Sequence, residues 1–468
     1  MDLDSYKGLR SVKSRLVLLL VLIVVESAVC RNAPHFESRT VTPDADKALV
    51  FTPFFDVEGN PSHGPSVVTL QVSDGTGVDC VPVEQQISAH LPSLKGRPVQ
   101  TKATLPQEHD FEVAACQQLF QLEHGSCPEG TIGIARHRKK GNGTEWRSAR
   151  RRMAESMWTF SGGTSKYFEP TSNGTVSAQL APAAVWDLGY ASTDLSWSGF
   201  NLNGVHDFIG FGATLSLQQP YFEAGYQSAS GARISYNIAY WSNPYGPAPQ
   251  WAGGGEISAG FLANPTYFGD NLPRFYTYWG INVFYTKEGT GNCYNMDCPG
   301  YTHVSPNIVL GAPVTGTEMS LFILMDLNLN RYNLFYGTEL VGFWNHAETI
   351  GWRLQHFVTE VGLGATAKIF SGGIVTPIVT NGRVTNTHMG TGKYSNELGA
   401  AYVRNVVWQN KNDNLWYQVP TTGLSGASTW ATVPPQCYDA YIGNGDRVDW
   451  GTYLLYGGRG GENPTCRV

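Results

Sequence analysis

Apolar and polar positions alternate in short runs through the C-terminal two thirds of the chain. Examples are Ala213-Thr-Leu-Ser-Leu217, Ala232-Arg-Ile-Ser-Tyr-Asn-Ile-Ala-Tyr240, Phe275-Tyr-Thr-Tyr-Trp279, Leu321-Phe-Ile-Leu-Met325 and Leu340-Val-Gly-Phe-Trp344. Gly, Asn and Pro separate such runs. Alternation with period two places successive side chains on opposite faces of a strand, and turn residues between runs favour antiparallel connections. The pattern from about residue 155 predicts an all-β domain: a large antiparallel β-sandwich of two curved sheets. Helical periodicity is scarce and confined to 108–122 and 346–359. Gly253-Gly-Gly255 reads as a turn, since no helix pattern follows it to make a phosphate cradle. A small mixed pro-region precedes the sandwich.

Composition sharpens this picture. The chain has 468 residues, more than one compact domain usually needs, with 53 Gly, 13 Trp and 23 Tyr and only 15% charged residues. Aromatic, Gly-rich and Lys-poor usage suits strands and turns. Residues 1–152 hold 18 Lys/Arg against 17 Asp/Glu, and residues 153–468 hold 14 against 21. The acidic, sparsely charged C-terminal part argues against a nucleic-acid surface and is compatible with tolerance of acid.

The N-terminus predicts export. Lys7, Arg10, Lys13 and Arg15 precede an unbroken apolar run from Leu16 to Val25, too short to span a bilayer as a helix. Small residues Ser27 and Ala28 follow. Residues 1–30 therefore read as a signal peptide cut after Cys30, with a signal anchor as the alternative. No later segment is long and apolar enough to span, so no membrane association is expected after signal removal. Residues 31–135 form the small pro-region. A basic segment, 136–154, contains eight Lys/Arg between Arg136 and Arg152, including Arg147-Ser-Ala-Arg-Arg-Arg152. It reads as a processing linker, a polyanion-binding patch or a solvated loop. Residues 155–468 are the sandwich.

In an oxidising compartment, disulfides are the default for the eight cysteines. Cys293 and Cys298 enclose a short loop, and Cys437 and Cys466 bracket the C-terminus. Cys80 with Cys127 is the preferred further pair, which leaves Cys116 over once Cys30 departs with the signal. No Cys-x-x-Cys or matching His offset points to a metal, and no cofactor is implied. The sequons at Asn142 and Asn173 agree with secretion.

No G-x-S-x-G elbow, H-E-x-x-H or P-loop is present, and His346 and His356 lack a ligand spacing. Carboxylates remain. Two facing carboxyls in a cleft divide acid and base roles, because repulsion and burial separate their pKa values.

Several motifs carry a resemblance. Asp79-Cys-Val-Pro-Val83, His90-Leu-Pro-Ser-Leu-Lys95 and Ser126-Cys-Pro-Glu-Gly-Thr-Ile132 resemble the activation peptide of the neprosin family of glutamic peptidases. Tyr267-Phe-Gly-Asp-Asn-Leu-Pro-Arg274, Asn292-Cys-Tyr-Asn-Met-Asp-Cys-Pro-Gly300, Thr387-His-Met-Gly-Thr-Gly392, Gln436-Cys-Tyr-Asp439 and Tyr453-Leu-Leu-Tyr-Gly-Gly-Arg-Gly-Gly-Glu462 resemble its large domain. The resemblance runs from about residue 79 to the end. It implies a secreted zymogen of an acid-active, prolyl-directed endopeptidase, and a β-sandwich whose two Glu residues face each other. It also implies the pairs Cys293–Cys298 and Cys437–Cys466.

At the matching positions the acids are missing. The family's Ile-Glu-Ala-Gly segment corresponds to Glu256-Ile-Ser258-Ala-Gly260, so Ser258 stands at the first acidic position. The second, after a Gly-Gly pair, falls near Gly373 and Ile374 in Ser371-Gly-Gly-Ile-Val375. A Ser hydroxyl without an adjacent base is no general base at acid pH. Glu256 is the candidate substitute, two residues along the same strand, with Glu339 and Glu360 as neighbourhood candidates for a second acid. Two function classes follow. One is a binding protein that holds a peptide, protein or polysaccharide ligand in its cleft, where Tyr276, Tyr278 and Trp279 serve as lining or as core. The other is an endopeptidase with relocated carboxylates.

Overall fold

The computed structural model describes residues 63–103, 126–136, 191–345 and 364–466, with breaks inside all of these runs but 126–136. The chain divides into Met1–Thr42 and Pro43–Val468, and every described residue belongs to the second unit. The helical windows 108–122 and 346–359 lie outside the described residues. So do the signal region, the segment 137–190 with both sequons, and Cys30, Cys116 and Cys298.

Three strands form a small sheet: β1 Val68–Gln71, β2 Gly77–Pro82 and β3 Thr131–Arg136. The rest form two larger sheets. In chain order they are β4 Ala191–Ser196, β5 Phe200–Asn201, β6 Phe208–Ser216, β7 Ser230–Ser242, β8 Gln250–Ala263, β9 Arg274–Val283 and β10 Thr290–Tyr294. Then come β11 Tyr301–His303, β12 Glu318–Asp326, β13 Arg331–Tyr336, β14 Glu339–Asn345 and β15 Gly364–Val375. The last are β16 Ala401–Asn410, β17 Trp416–Gln418, β18 Ser428–Ala431, β19 Asp439–Asn444 and β20 Thr452–Gly457. One sheet runs β10-β9-β8-β7-β15-β4-β18, with β5 also on β15. The other runs β11-β14-β13-β12-β6-β16-β20-β19, with β17 also on β16. Adjacent strands pair antiparallel throughout both. The all-β antiparallel sandwich is therefore the architecture. The five alternating runs fall in β6, β7, β9, β12 and β14; only Leu217 runs past its strand.

Alternation explains the core. Ala232, Ile234 and Tyr236 of β7 and Ile257, Ala259 and Phe261 of β8 are buried and turn one way. From the other sheet come Phe211, Ala213 and Leu215 of β6 and Tyr332 and Leu334 of β13. The Tyr236 ring bridges the layers, 6.2 Å from Phe211 and 5.4 Å from Tyr332 between centroids. Turn chemistry is local: the Asp326 carboxylate accepts the amides of Asn328 and Leu329, both at 3.0 Å, and Asn330 takes φ 51° to close the β12–β13 hairpin.

Gly253–Gly255 corrects the turn reading. These glycines lie inside β8, paired to Tyr240, Ala239 and Ile238 on one side and Val283, Asn282 and Ile281 on the other. A central strand bonded along both edges holds a glycine run extended despite its low strand propensity. Among the described residues no helix is long and apolar enough to cross a membrane.

Candidate functional site

β8 presents the first matching position. Ile257, Ala259 and Phe261 point into the sandwich, so Ser258, Gly260 and Leu262 face the other way. Ser258 is fully buried between Ser235 of β7 and Tyr278 of β9, its directly paired neighbours. Its hydroxyl has no hydrogen-bond partner. A buried, unpartnered hydroxyl is uncommon, since each lost bond costs about 1–3 kcal/mol. Two residues on, Gly260 sits between Arg233 and Tyr276. A Cβ there would lie 2.0 Å from the Ala232 carbonyl oxygen, so close backbone approach requires glycine.

The second position lies in the same sheet. β15 pairs with β7, and β7 separates it from β8. Phe370 pairs with Ser235, Gly372 with Arg233, Gly373 with Ala232 and Ile374 with Gly231. Positions 372 and 374 are thus in step with Ser258, whereas 373 is in step with the core-facing Ala232. One intervening strand separates β8 from β15 by about 9.5 Å.

Glu256 occupies the β8 position paired with Asn237 and Gly280, two residues before Ser258. Glu339 is elsewhere. Its carboxylate accepts from the Ser305 hydroxyl and, at 3.1 Å, from the Asn307 amide, which secures the loop after β11. Glu360, His346 and His356 are outside the described residues. No group of three or more His, Cys, Asp or Glu among the described residues is placed to hold a metal.

The aromatic candidates are core. Tyr276 and Tyr278 pack with Leu262, Phe268, Ala229 and Tyr294 in a second apolar cluster on the Ser258 side of the sheet. The Tyr294 ring lies tilted against both, 5.8 Å from Tyr276 and 4.9 Å from Tyr278 between centroids. Trp279 alternates to the inner face and packs against the main core.

Several of the motifs turn out to be clamps that hold loops in place. Arg274, almost fully buried, donates from Nε and Nη2 to the Asp270 carboxylate and from Nη1 to the Gly311 carbonyl at 2.9 Å. The Leu272 amide also bonds Asp270, at 3.0 Å. Asp439 accepts the Ser395 amide and hydroxyl, each at 2.7 Å. The Tyr438 hydroxyl donates to the Thr387 carbonyl at 2.7 Å, and burial pushes its pKa far up, so it stays protonated. Sequence reading missed a further cluster. Glu223 accepts the Asn386 amide at 2.7 Å, the Ser230 hydroxyl donates to the His388 carbonyl at 2.8 Å, and His388 Nε2 lies 3.3 Å from Glu462. Its only sequence signal is the presence of His388 and Glu462 in separate motifs. Disulfides Cys80–Cys127 and Cys437–Cys466 are both formed, and among the described residues no cysteine is free.

Residues 242–459 match the family described as Neprosin. The chain carries a neprosin domain there. The matched residues take in Ser258, the 371–375 segment and the Asp270, Asn292, Thr387 and Gln436 motifs. The resemblance to the neprosin activation peptide lies outside them. Neprosin membership places the domain in a peptidase-like family; the chemistry of the Ser258 face is a separate question.

Proposed function

We propose that this is a secreted neprosin-domain protein that binds a peptide or protein segment without hydrolysing it. The observation that carries the reading is Ser258: fully buried, unpartnered and standing where the resemblance puts the first acid. A glutamic dyad works as a unit, one carboxylate taking a proton from water while the other, protonated, polarises the amide. With a hydroxyl in one place and Gly372 to Ile374 in the other, neither step has its group. Loss of a unit of this kind removes most of the rate rather than part of it. The pro-region, its internal disulfide and the basic segment support synthesis as a secreted precursor.

Glu256 is the test of the rival peptidase reading, because its β9 partner is Gly280 and brings no side chain beside it. The purified protein, held at acid pH with a fluorescent Pro-containing peptide, is expected to raise the peptide's anisotropy and leave its mass unchanged. Cleavage that disappears in Glu256→Gln would establish the relocated-acid peptidase instead.

A further inference from the structure

Residues 63–136 do more than precede the sandwich; they complete it. Among the described residues β11 is the end strand of its sheet and pairs with β14. The other edge of β11 carries the backbone of His303, and Gln86 closes it. The Gln86 amide oxygen accepts the His303 N–H at 2.8 Å, and its nitrogen donates to the His303 carbonyl at 2.8 Å and the Val83 carbonyl at 2.8 Å. Gln86 is fully buried. One side chain thus stands in for a neighbouring strand at an edge that would otherwise offer unpaired backbone.

The contact continues along the loop after β11. Ile134 of β3 bridges Leu310, and the Cys127 amide donates to the Pro306 carbonyl at 3.3 Å. His63 Nε2 donates to the Met296 carbonyl at 3.0 Å, while its Nδ1 accepts the Ile87 amide at 3.3 Å. A Cβ on Gly133 would meet Val309 Cγ2 at 2.7 Å, so β3 lies directly on that loop. Val78, Cys80 and Ile132 share one buried cluster with Ile308, Val309 and Leu310. The disulfide of the segment, Cys80–Cys127, closes within the segment and does not tie it to the sandwich.

We infer that the segment 63–136 is a permanent, non-covalently held subunit of the mature protein, retained on residues 296–312 after the basic segment is cut. Its departure would bare the β11 edge and the apolar run Ile308-Val-Leu310, two features that folded proteins keep covered. The inference is independent of whether the neprosin domain hydrolyses peptides.

The test uses the full chain with a site-specific protease sequence placed within 137–152. After cutting at neutral pH, gel filtration at submicromolar concentration should return both fragments in one peak, in equal amounts, without reductant or with it. Separation of the 63–136 fragment, or aggregation of the large fragment alone, overturns the inference. Gln86→Ala should release the small fragment faster after cutting, by roughly tenfold or more, because both His303 backbone groups across the contact lose their partner. Glu84→Ala, an exposed neighbour, should not. Unchanged retention in Gln86→Ala would overturn the edge-closing role. If Gln86→Ala does not fold before cutting, the unsubstituted cut chain decides alone.

Discussion

His303 should make this protein lose stability in acid, and the size of the loss follows from its surroundings. The ring is completely buried, and burial pushes its pKa from 6.5 down to about 4, against smaller upward pulls from the backbone at Ile308 and Ser305. Nε2 donates to the Ile308 carbonyl at 2.7 Å. Protonation would bury a charge in an apolar interior. Between pH 6.5 and about 4 the unfolded chain carries a proton on this residue that the folded chain refuses. The contribution of neutral His303 is therefore complete above pH 6.5, falls as pH drops through the window, and is gone near pH 4. A displacement of this size corresponds to about 3 kcal/mol at most. Denaturant unfolding from pH 7.5 to 3.5, compared with His303→Gln, measures it. Glutamine keeps a donor for Ile308 and does not titrate, so the substituted protein should show a flatter pH profile by about that amount. Equal slopes in the two proteins, or an NMR titration of folded His303 near its ordinary value, would refute the reasoning.

Three further substitutions test the clamps. Asp270→Ala leaves the buried Arg274 guanidinium without its carboxylate and should cost about 2–4 kcal/mol, read as a lower denaturant midpoint; an unchanged midpoint would remove the clamp from the account. Replacing Cys437 and Cys466 together by Ser opens a link spanning 29 residues and should cost about 3 kcal/mol by loop entropy, with a lower Tm in calorimetry. Gly260→Ala drives a methyl into the Ala232 carbonyl and should cost at least about 2 kcal/mol or prevent secretion; normal expression and Tm would show that β7 and β8 are not held so close.

The sandwich was legible because alternation is local: each buried run announces its own strand. So were Cys80–Cys127 and Cys437–Cys466, the first from cysteine arithmetic and the second from the resemblance. Gly253–Gly255 was not, because a glycine run is extended here only by virtue of β7 and β9 on either side, which lie elsewhere in the sequence. The same holds for the site. The resemblance marks Ser258 and the segment near Gly373 and Ile374, but only the pairing of β7 with both β8 and β15 places them in one sheet. Only register tells 372 and 374 from 373. Tyr276 and Tyr278 alternate away from the main core, so a pattern reading left them open as lining or core; a second apolar cluster with Leu262 and Phe268 makes them core. The Gln86–His303 contact joins residues 217 apart and has no local signature at all.

The most direct test of the central claim is mass spectrometry of Pro-containing peptides after prolonged incubation with the purified, processed protein at acid pH. The absence of an acid at Ser258 and across Gly372 to Ile374 predicts that every peptide is recovered intact while remaining bound. New termini at proline, lost on Glu256→Gln, would contradict it and return the protein to the active peptidases.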